Sequence, residues 1–486
     1  MKKLGIILGV LLICMVCTSE NVSTVDRIIE NYQNYKEESL KDRRFKHEDI
    51  VALIKKLEGN DLFSVKEEGK SIQGRSIYSV SLGTGPIKVL LWSQMHGDEA
   101  TATMAIFDLF NFFSESNEFD SWKEEILSRT TLVFIPMLNP DGAEVFTRRN
   151  ALGVDLNRDA VRLQSPEARI LKNKRDETKA DFGFNLHDQG RVYSVGNTDH
   201  PATISFLSPA YNYEKEVNEV RQNSINLTSQ LTKKLSGIIP GQIAKYSDDF
   251  EPRAFGDNIQ KWGTSLILIE SGGKRGDREK QEIRRFNFIA LIQSFESIAH
   301  GDYKKDDGEA YHALPFNDRL FFDLLLSQVT IEQDGVKYEV DLAINHEEVN
   351  YNNYRNFYLK GSIEDIGDLS IFYGYEKMEG KGYDAVPAIV SSEILSYDKI
   401  GQVDVLELLK KGIGYIKVQD EVKVGKSGYA INILTKEANL PEQNFKIGDK
   451  ANFFLKQGDV FKFAVINGHL IDLENPDLSR AYGIVY

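Results

Sequence analysis

Two runs in this chain, Ile87-Lys88-Val89-Leu90-Leu91-Trp92 and Ser265-Leu266-Ile267-Leu268-Ile269, are apolar over nearly their whole length. A strand with one wet face alternates apolar and polar residues, so strands like these are buried on both faces, as in sheets covered by helices. Further strand patterns lie at Ser76–Leu82, Thr131–Ile135 and Ala180–Leu186. Helical patterns separate them: Ala100–Phe113, a helix opened by Ser165-Pro166-Glu167 with a capping serine and Pro at its first position, Tyr213–Leu235 and Glu279–His300. Ahead of them, Val25, Ile28, Ile29 and Tyr32, then Ile50, Leu53, Ile54 and Leu57, recur at helical spacing. Alternating strands and helices predict an α/β domain with a mixed or mostly parallel sheet over residues 24–300.

A chain of 486 residues with 41% hydrophobic content is too long for one ordinary domain and too apolar to be disordered. After the polar stretch Gly301–Gly308, short strand patterns take over at Val329–Ile331, Val336–Val340, Ile413–Val418 and Ala430–Leu434, with a hairpin predicted around Asn467-Gly468. Residues 309–486 are therefore expected to form a smaller β-rich domain, with no second set of chemically active residues: His312, His346 and His469 are isolated.

Met1-Lys2-Lys3 precedes an apolar run from Leu4 to Cys17, which then turns polar. That pattern is a secretory signal over residues 1–17, too short to span a bilayer. Cys17 resembles the acylated cysteine of bacterial lipoproteins, although Val16 stands where that pattern has a small residue. The expectation is export to the periplasm or cell envelope, with membrane attachment through a lipidated Cys17. Both cysteines lie in this segment, so disulfides, a cysteine nucleophile and thiolate metal ligands are excluded from the mature chain. A net charge of −14 offers no broad basic field, which argues against nucleic acid as a partner.

Any metal must then be held by His, Asp and Glu. Met95-His96-Gly97-Asp98-Glu99 follows a buried strand, and the carboxyl edge of an α/β sheet is where ligands bind. His96 and Glu99 can face one ion or be ordinary surface and capping residues. His187, in Asn185-Leu186-His187-Asp188, again ends a strand; it can be a third ligand, with Asp188 orienting it, or a satisfied strand-end histidine. Glu270 ends an aliphatic strand, where desolvation raises a carboxyl pKa and suits a general base; a structural ion pair is the alternative. Asn139-Pro140-Asp141-Gly142 forms a turn leading to Arg148, Arg149, Asn157 and Arg158, arginines able to clamp a carboxylate and steady an oxyanion, or simply to sit in solvent.

In order, His96-x-x-Glu99, Asn139-Pro-Asp-Gly, Arg148-x-Asn-Ala-x-Gly-Val-Asp-Leu-Asn157-Arg158, His187 and a strand-terminal Glu270 resemble the zinc carboxypeptidases of the carboxypeptidase A superfamily, over about residues 40–300. Gly74-Arg75-Ser76-Ile77 looks like that family's opening. The resemblance implies a mixed, mostly parallel eight-stranded sheet flanked by helices and one Zn²⁺ per chain. It implies His96, Glu99 and His187 as metal ligands, Glu270 as the base that activates the zinc-bound water, and Arg148 as the carbonyl-polarising arginine. Asn157 and Arg158 would grip the free C-terminus of a peptide substrate. The family's tyrosine has no clean counterpart: Tyr246 fits its place, and an ordinary loop tyrosine fits equally. The stretch Phe250–Asp257 departs from the family pattern, so Asp257 or Arg253 would set the pocket for the leaving residue or form a surface pair.

The expected activity is a metallocarboxypeptidase that hydrolyses the C-terminal peptide bond of peptides. A zinc deacylase acting on N-acyl amino acids and a peptide-binding pseudoenzyme are the alternatives; the Asn-Pro-Asp-Gly and Gly-Val-Asp-Leu-Asn-Arg strings favour the peptidase.

Overall fold

A computed structural model describes residues 23–486; the signal expected over residues 1–17, Cys17 included, lies outside the described residues. Helices α1 (Thr24–Glu30) and α2 (His47–Leu57) lead into strands β1 (Ser64–Lys70), β2 (Ser76–Leu82) and β3 (Ile87–Trp92). There follow α3 (Thr101–Ser114), α4 (Asp120–Arg129), β4 (Thr130–Ile135), α5 (Pro140–Glu144), α6 (Pro166–Thr178), β5 (Phe182–Asp188) and the short β6 (Ser194–Val195). The unit ends with β7 (Ile204–Leu207), α7 (Glu219–Ser236), β8 (Ile243–Lys245), α8 (Phe255–Lys261), β9 (Ser265–Ser271) and α9 (Gln281–His300).

Eight of these strands form one mixed sheet in the order β1-β2-β4-β3-β5-β9-β7-β8. The central β4, β3, β5 and β9 run parallel, while β2 and β7 join antiparallel. Successive side chains along the buried strands enter different cores, which is why the runs stay apolar. Val89 and Leu91 pack with α3, α7 and α9, whereas Leu90 and Trp92 pack with α6 and α8. The α3–α9 layer also holds a fully buried ion pair: Arg284 donates through Nε to Asp108 Oδ2 at 2.7 Å.

Several expected boundaries shift for local reasons. The helix expected from Tyr213 starts at Glu219, because Asn218 accepts from the Arg221 amide and caps it. Asn139-Pro-Asp-Gly is more than a turn, since Asn139 caps the short helix α5. The polar stretch after His300 is not a free linker. Residues Glu309–His312 form α10, whose Tyr311 is buried in the first core and accepts a hydrogen bond from the Ser208 amide through its hydroxyl. The chain leaves that core nearer residue 315, where β10 (Asn317–Asp318) pairs with β6.

Beyond it, the strand patterns seen at 329–331 and 336–340 are pieces of long strands β11 (Phe321–Gln333) and β12 (Val336–Tyr351), followed by β13 (Asn356–Gly367) and β14 (Tyr373–Glu379). A bulge between Leu326 and Val329 breaks the two-residue alternation there. These strands lie in one sheet, and a second, five-stranded sheet completes the β-rich region. The hairpin around Asn467-Gly468 forms as its sequence predicts, with both turn residues at positive φ. Among the described residues, no helix is long and apolar enough to cross a membrane.

Candidate metal centre

The parallel register of β5 and β9 sets His187 beside Glu270 at the carboxyl edge of the sheet. Aligned residues on neighbouring strands share a face, so both side chains emerge on the same side. His96 and Glu99 reach the spot from the loop after β3. That loop packs hard on the start of α5: a Cβ on Gly97 would fall 2.0 Å from the Gly142 carbonyl carbon, so only glycine fits. Asn139 ties the region together. Its backbone N–H donates to Gln94 O at 2.9 Å, and its side-chain amide reaches Met95 O at 3.4 Å and Arg148 O at 3.3 Å. The motif thus locks the His96 loop to the Arg148 loop. Arg75, from the Gly-Arg stretch ahead of β2, pairs with Asp141 at 2.7 Å beneath it.

The donors converge. His96 Nδ1 lies 2.7 Å from Glu99 Oε1, His187 Nδ1 lies 2.7 Å from Glu99 Oε2, and one ligand atom from each residue falls within 4.8 Å of the others. Two imidazole nitrogens and a carboxylate are the donor set of a catalytic zinc site, which keeps a further position for water or substrate. The residues present therefore fit the metal. Burial opposes protonation of His96, but Glu99 and Asp155 override it and push the imidazole up to about 9. Glu99 is buried, yet the two imidazoles hold it well below the usual carboxylate range. Burial pushes His187 down.

Glu270 does not join the ligand cluster. Burial, and then the charge of Glu99, raise its pKa well above the ordinary value, so it can hold a proton that a typical glutamate would shed. Arg148 closes the opposite side: its terminal nitrogen is 3.3 Å from Glu99 Oε1, and its Nε donates to Asp155 Oδ2 at 3.0 Å. Tyr246 stands near Glu270; burial, then that carboxylate and Tyr193, push its phenol up to about 12. Asn157 accepts the Phe255 amide proton at 2.9 Å, and Arg158 pairs with Glu251 at 3.2 Å, outside the donor cluster. Of the two pocket candidates, Asp257 is buried and accepts from the Glu251 amide, while Arg253 is exposed and pairs with Glu251.

One support escaped the sequence reading, and another acts differently from the expectation. Asp155 Oδ1 accepts from His96 Nε2 at 3.1 Å, leaving Nδ1 free as a ligand. Asp188 does not orient His187 through its side chain. Its backbone N–H donates to Glu99 Oε2 at 3.2 Å, and its carboxylate is held by Thr101 at 2.6 Å and Lys280 at 3.2 Å.

The zinc carboxypeptidase family model matches residues 50–226, a span that includes the three candidate ligands, Arg148, Asn157 and Arg158 but ends before Tyr246 and Glu270. Carboxypeptidase SOL1 of Arabidopsis thaliana is 30% identical over 118 residues, 23% of this chain and 24% of that protein. An uncharacterised Zymomonas mobilis protein is 27% identical over 154 residues, 31% of this chain and 39% of that one. The chain thus spans about a quarter to two-fifths of the length of these curated relatives. Among solved structures, a metallo-carboxypeptidase from Burkholderia cenocepacia aligns over 53% of this chain and 71% of its own, at 18% identity and a TM-score of 0.41. Carboxypeptidase A from Helicoverpa armigera aligns over 58% and 80%, at 15% identity and a TM-score of 0.44. The family match lies over the His-Glu-His cluster, so the N-terminal α/β domain is similar to the zinc carboxypeptidases at its candidate metal centre.

Proposed function

We propose that the protein is a zinc-dependent carboxypeptidase that removes the C-terminal residue of peptides. The observation that carries this reading is the convergence of His96, Glu99 and His187 on one point, with Glu270 beside His187 in register on the next strand. Zinc held by those three residues supplies Lewis acidity toward a carbonyl oxygen and a water molecule. Glu270 takes the proton of the attacking water and delivers it to the departing amine, a role its raised pKa suits. Arg148 faces the scissile carbonyl and steadies the charge that develops on its oxygen. Arg158, released from or shared with Glu251, and the Asn157 amide hold the substrate's terminal carboxylate. Tyr246 covers the substrate from the Glu270 side.

Export and attachment to the cell envelope through Cys17 belong to the same proposal. A peptide library incubated with zinc-loaded and with chelated protein, and read by mass, tests the activity. Loss of single C-terminal residues only in the zinc-loaded sample is expected. Cleavage of N-acyl amino acids in preference to peptides would move the assignment to a deacylase.

A further inference from the structure

Between the two domains lies a cavity of about 390 Å³, near the lower end of the size of small-ligand sites. Its floor includes the metal-ligand candidate Glu99, and its walls are the loops following β5 and β9. Strand β12 closes the far end with His346 and Glu348. Asn157, Arg158 and Tyr246 do not line it, so it is not the pocket of the leaving residue.

The far end is short of negative charge. Arg43, Arg191, Lys274 and Arg278 all face the cavity. Arg43 donates to Glu348 at 2.8 Å, and Arg278 approaches the same carboxylate at 3.5 Å. Arg191 and Arg278 both turn to Asp323, the latter at 3.4 Å. Arg44 draws on Glu348 as well, at 2.8 Å. Arg43 Nε also lies 3.6 Å from Glu279, too far for a hydrogen bond, so four guanidiniums share three carboxylates. The other acidic lining residues lie away from the arginines: Asp188 pairs with Lys280, Asp277 accepts the first amides of α9, and Asp98 stands beside Glu99 at the metal end. Crowded cations away from water lack a counter-charge that water cannot fully replace. Burial and the neighbouring Arg278 push Arg191 down to about 10, which reports the same imbalance.

We propose that this interdomain cavity receives the part of the substrate upstream of the scissile bond and selects an acidic side chain there, one or two residues before the bond. Its carboxylate docks on Arg191 and Arg278 and completes their pairing. The proposal rests on the carboxypeptidase reading and adds a substrate class to it. It also gives the C-terminal domain a part in recognition, because β12 supplies the wall that fixes the arginines.

The test uses full-length, zinc-loaded protein and N-acetylated tetrapeptides that differ only in Glu, Gln or Lys at each of the two positions before the scissile bond. The expected result is kcat/KM higher by about tenfold or more for Glu than for Gln at one of them, with Lys poorer still. In Arg191→Gln and Arg278→Gln the Glu-to-Gln ratio should fall to about threefold or less, a readout that a general loss of activity does not move. Lys274→Gln, from the cavity rim, serves the same purpose if either arginine variant fails to fold. Cleavage by the wild type with equal efficiency for Glu and Gln overturns the subsite while leaving the carboxypeptidase intact. A wild-type preference that survives in folded variants also overturns it. Failure to cleave any peptide removes the carboxypeptidase reading and the subsite together.

Discussion

A single carboxylate shows how the centre is held at the residue scale. Asp155 accepts from His96 and from Arg148, and it also caps the turn carrying Asn157 and Arg158 by accepting the Asn157 amide at 2.9 Å. Burial favours its protonated form, but His96 and Arg148 hold it far below the usual carboxylate range. Asp155→Asn keeps the shape and removes the charge, so zinc affinity should fall by about 10- to 100-fold in a competition titration against a chelating dye. Glu270→Gln should behave oppositely: one zinc per chain in metal analysis, and turnover reduced by about 10² to 10⁴. The candidate ligands and Glu270 could be picked out in the sequence because each sits at or just past a strand's carboxyl end, where edge position and residue type coincide. Asp155 was not, because its partner His96 lies 59 residues away in the chain and no local pattern joins them. Asp188 was legible as a supporting residue but not in its partners, since Thr101 and Lys280 come from distant loops.

Elements are joined by contacts that no local pattern encodes. The strands of the main sheet could be read from their apolar runs, and β3 and β2 match their expected ends. Strand β1, with the sequence Ser-Val-Lys-Glu-Glu-Gly-Lys, could not: it is an edge strand and exposes most of its side chains. Arg44 illustrates the contacts between elements. Its guanidinium lies between the rings of Phe146 and Phe357, 3.9 and 4.1 Å from their centroids. Phe146 is two residues before Arg148, and Phe357 is on β13, so one side chain from the segment before α2 ties the C-terminal domain to the Arg148 loop. Arg44→Ala should reduce stability by about 1–3 kcal/mol in chemical unfolding and lower kcat/KM by loosening Arg148. The buried pair of Arg284 and Asp108 is a harsher case. Arg284 also donates to Leu40 O at 2.7 Å and Glu37 O at 3.0 Å, fastening the strap before α2 to α9. Arg284→Met leaves the Asp108 charge buried without its partner, and a loss of about 3–5 kcal/mol in urea unfolding is expected.

The molecule as a whole depends on how the β-rich region meets the N-terminal α/β domain, and two stacked imidazoles make that junction sensitive to acid. The rings of His346 and His469 are 4.6 Å apart, and His346 Nε2 sits 3.2 Å from Asn467 O. Burial and the Arg278 guanidinium push His346 down to about 4; burial, His346 and Arg278 push His469 down to about 3. Arg191, Lys426 and Arg480 add to the opposition, whereas Glu376 and Asp323, the latter 3.5 Å from His346 Nδ1, work weakly the other way. The folded state therefore keeps both rings neutral, while an unfolded chain protonates them near their ordinary value of about 6.5. Stability from this pair is complete above that value and declines as pH falls from about 6.5 toward 3. Each ring steepens the decline by up to about 1.4 kcal/mol per pH unit. The upper part of that window lies above the range in which ordinary carboxylates titrate, so the two effects separate. Melting temperatures measured between pH 7 and 4.5 should fall more steeply for the wild type than for His469→Phe, which keeps the stacking and removes one titration. Equal slopes for the two proteins would mean that the acid sensitivity of the junction arises elsewhere.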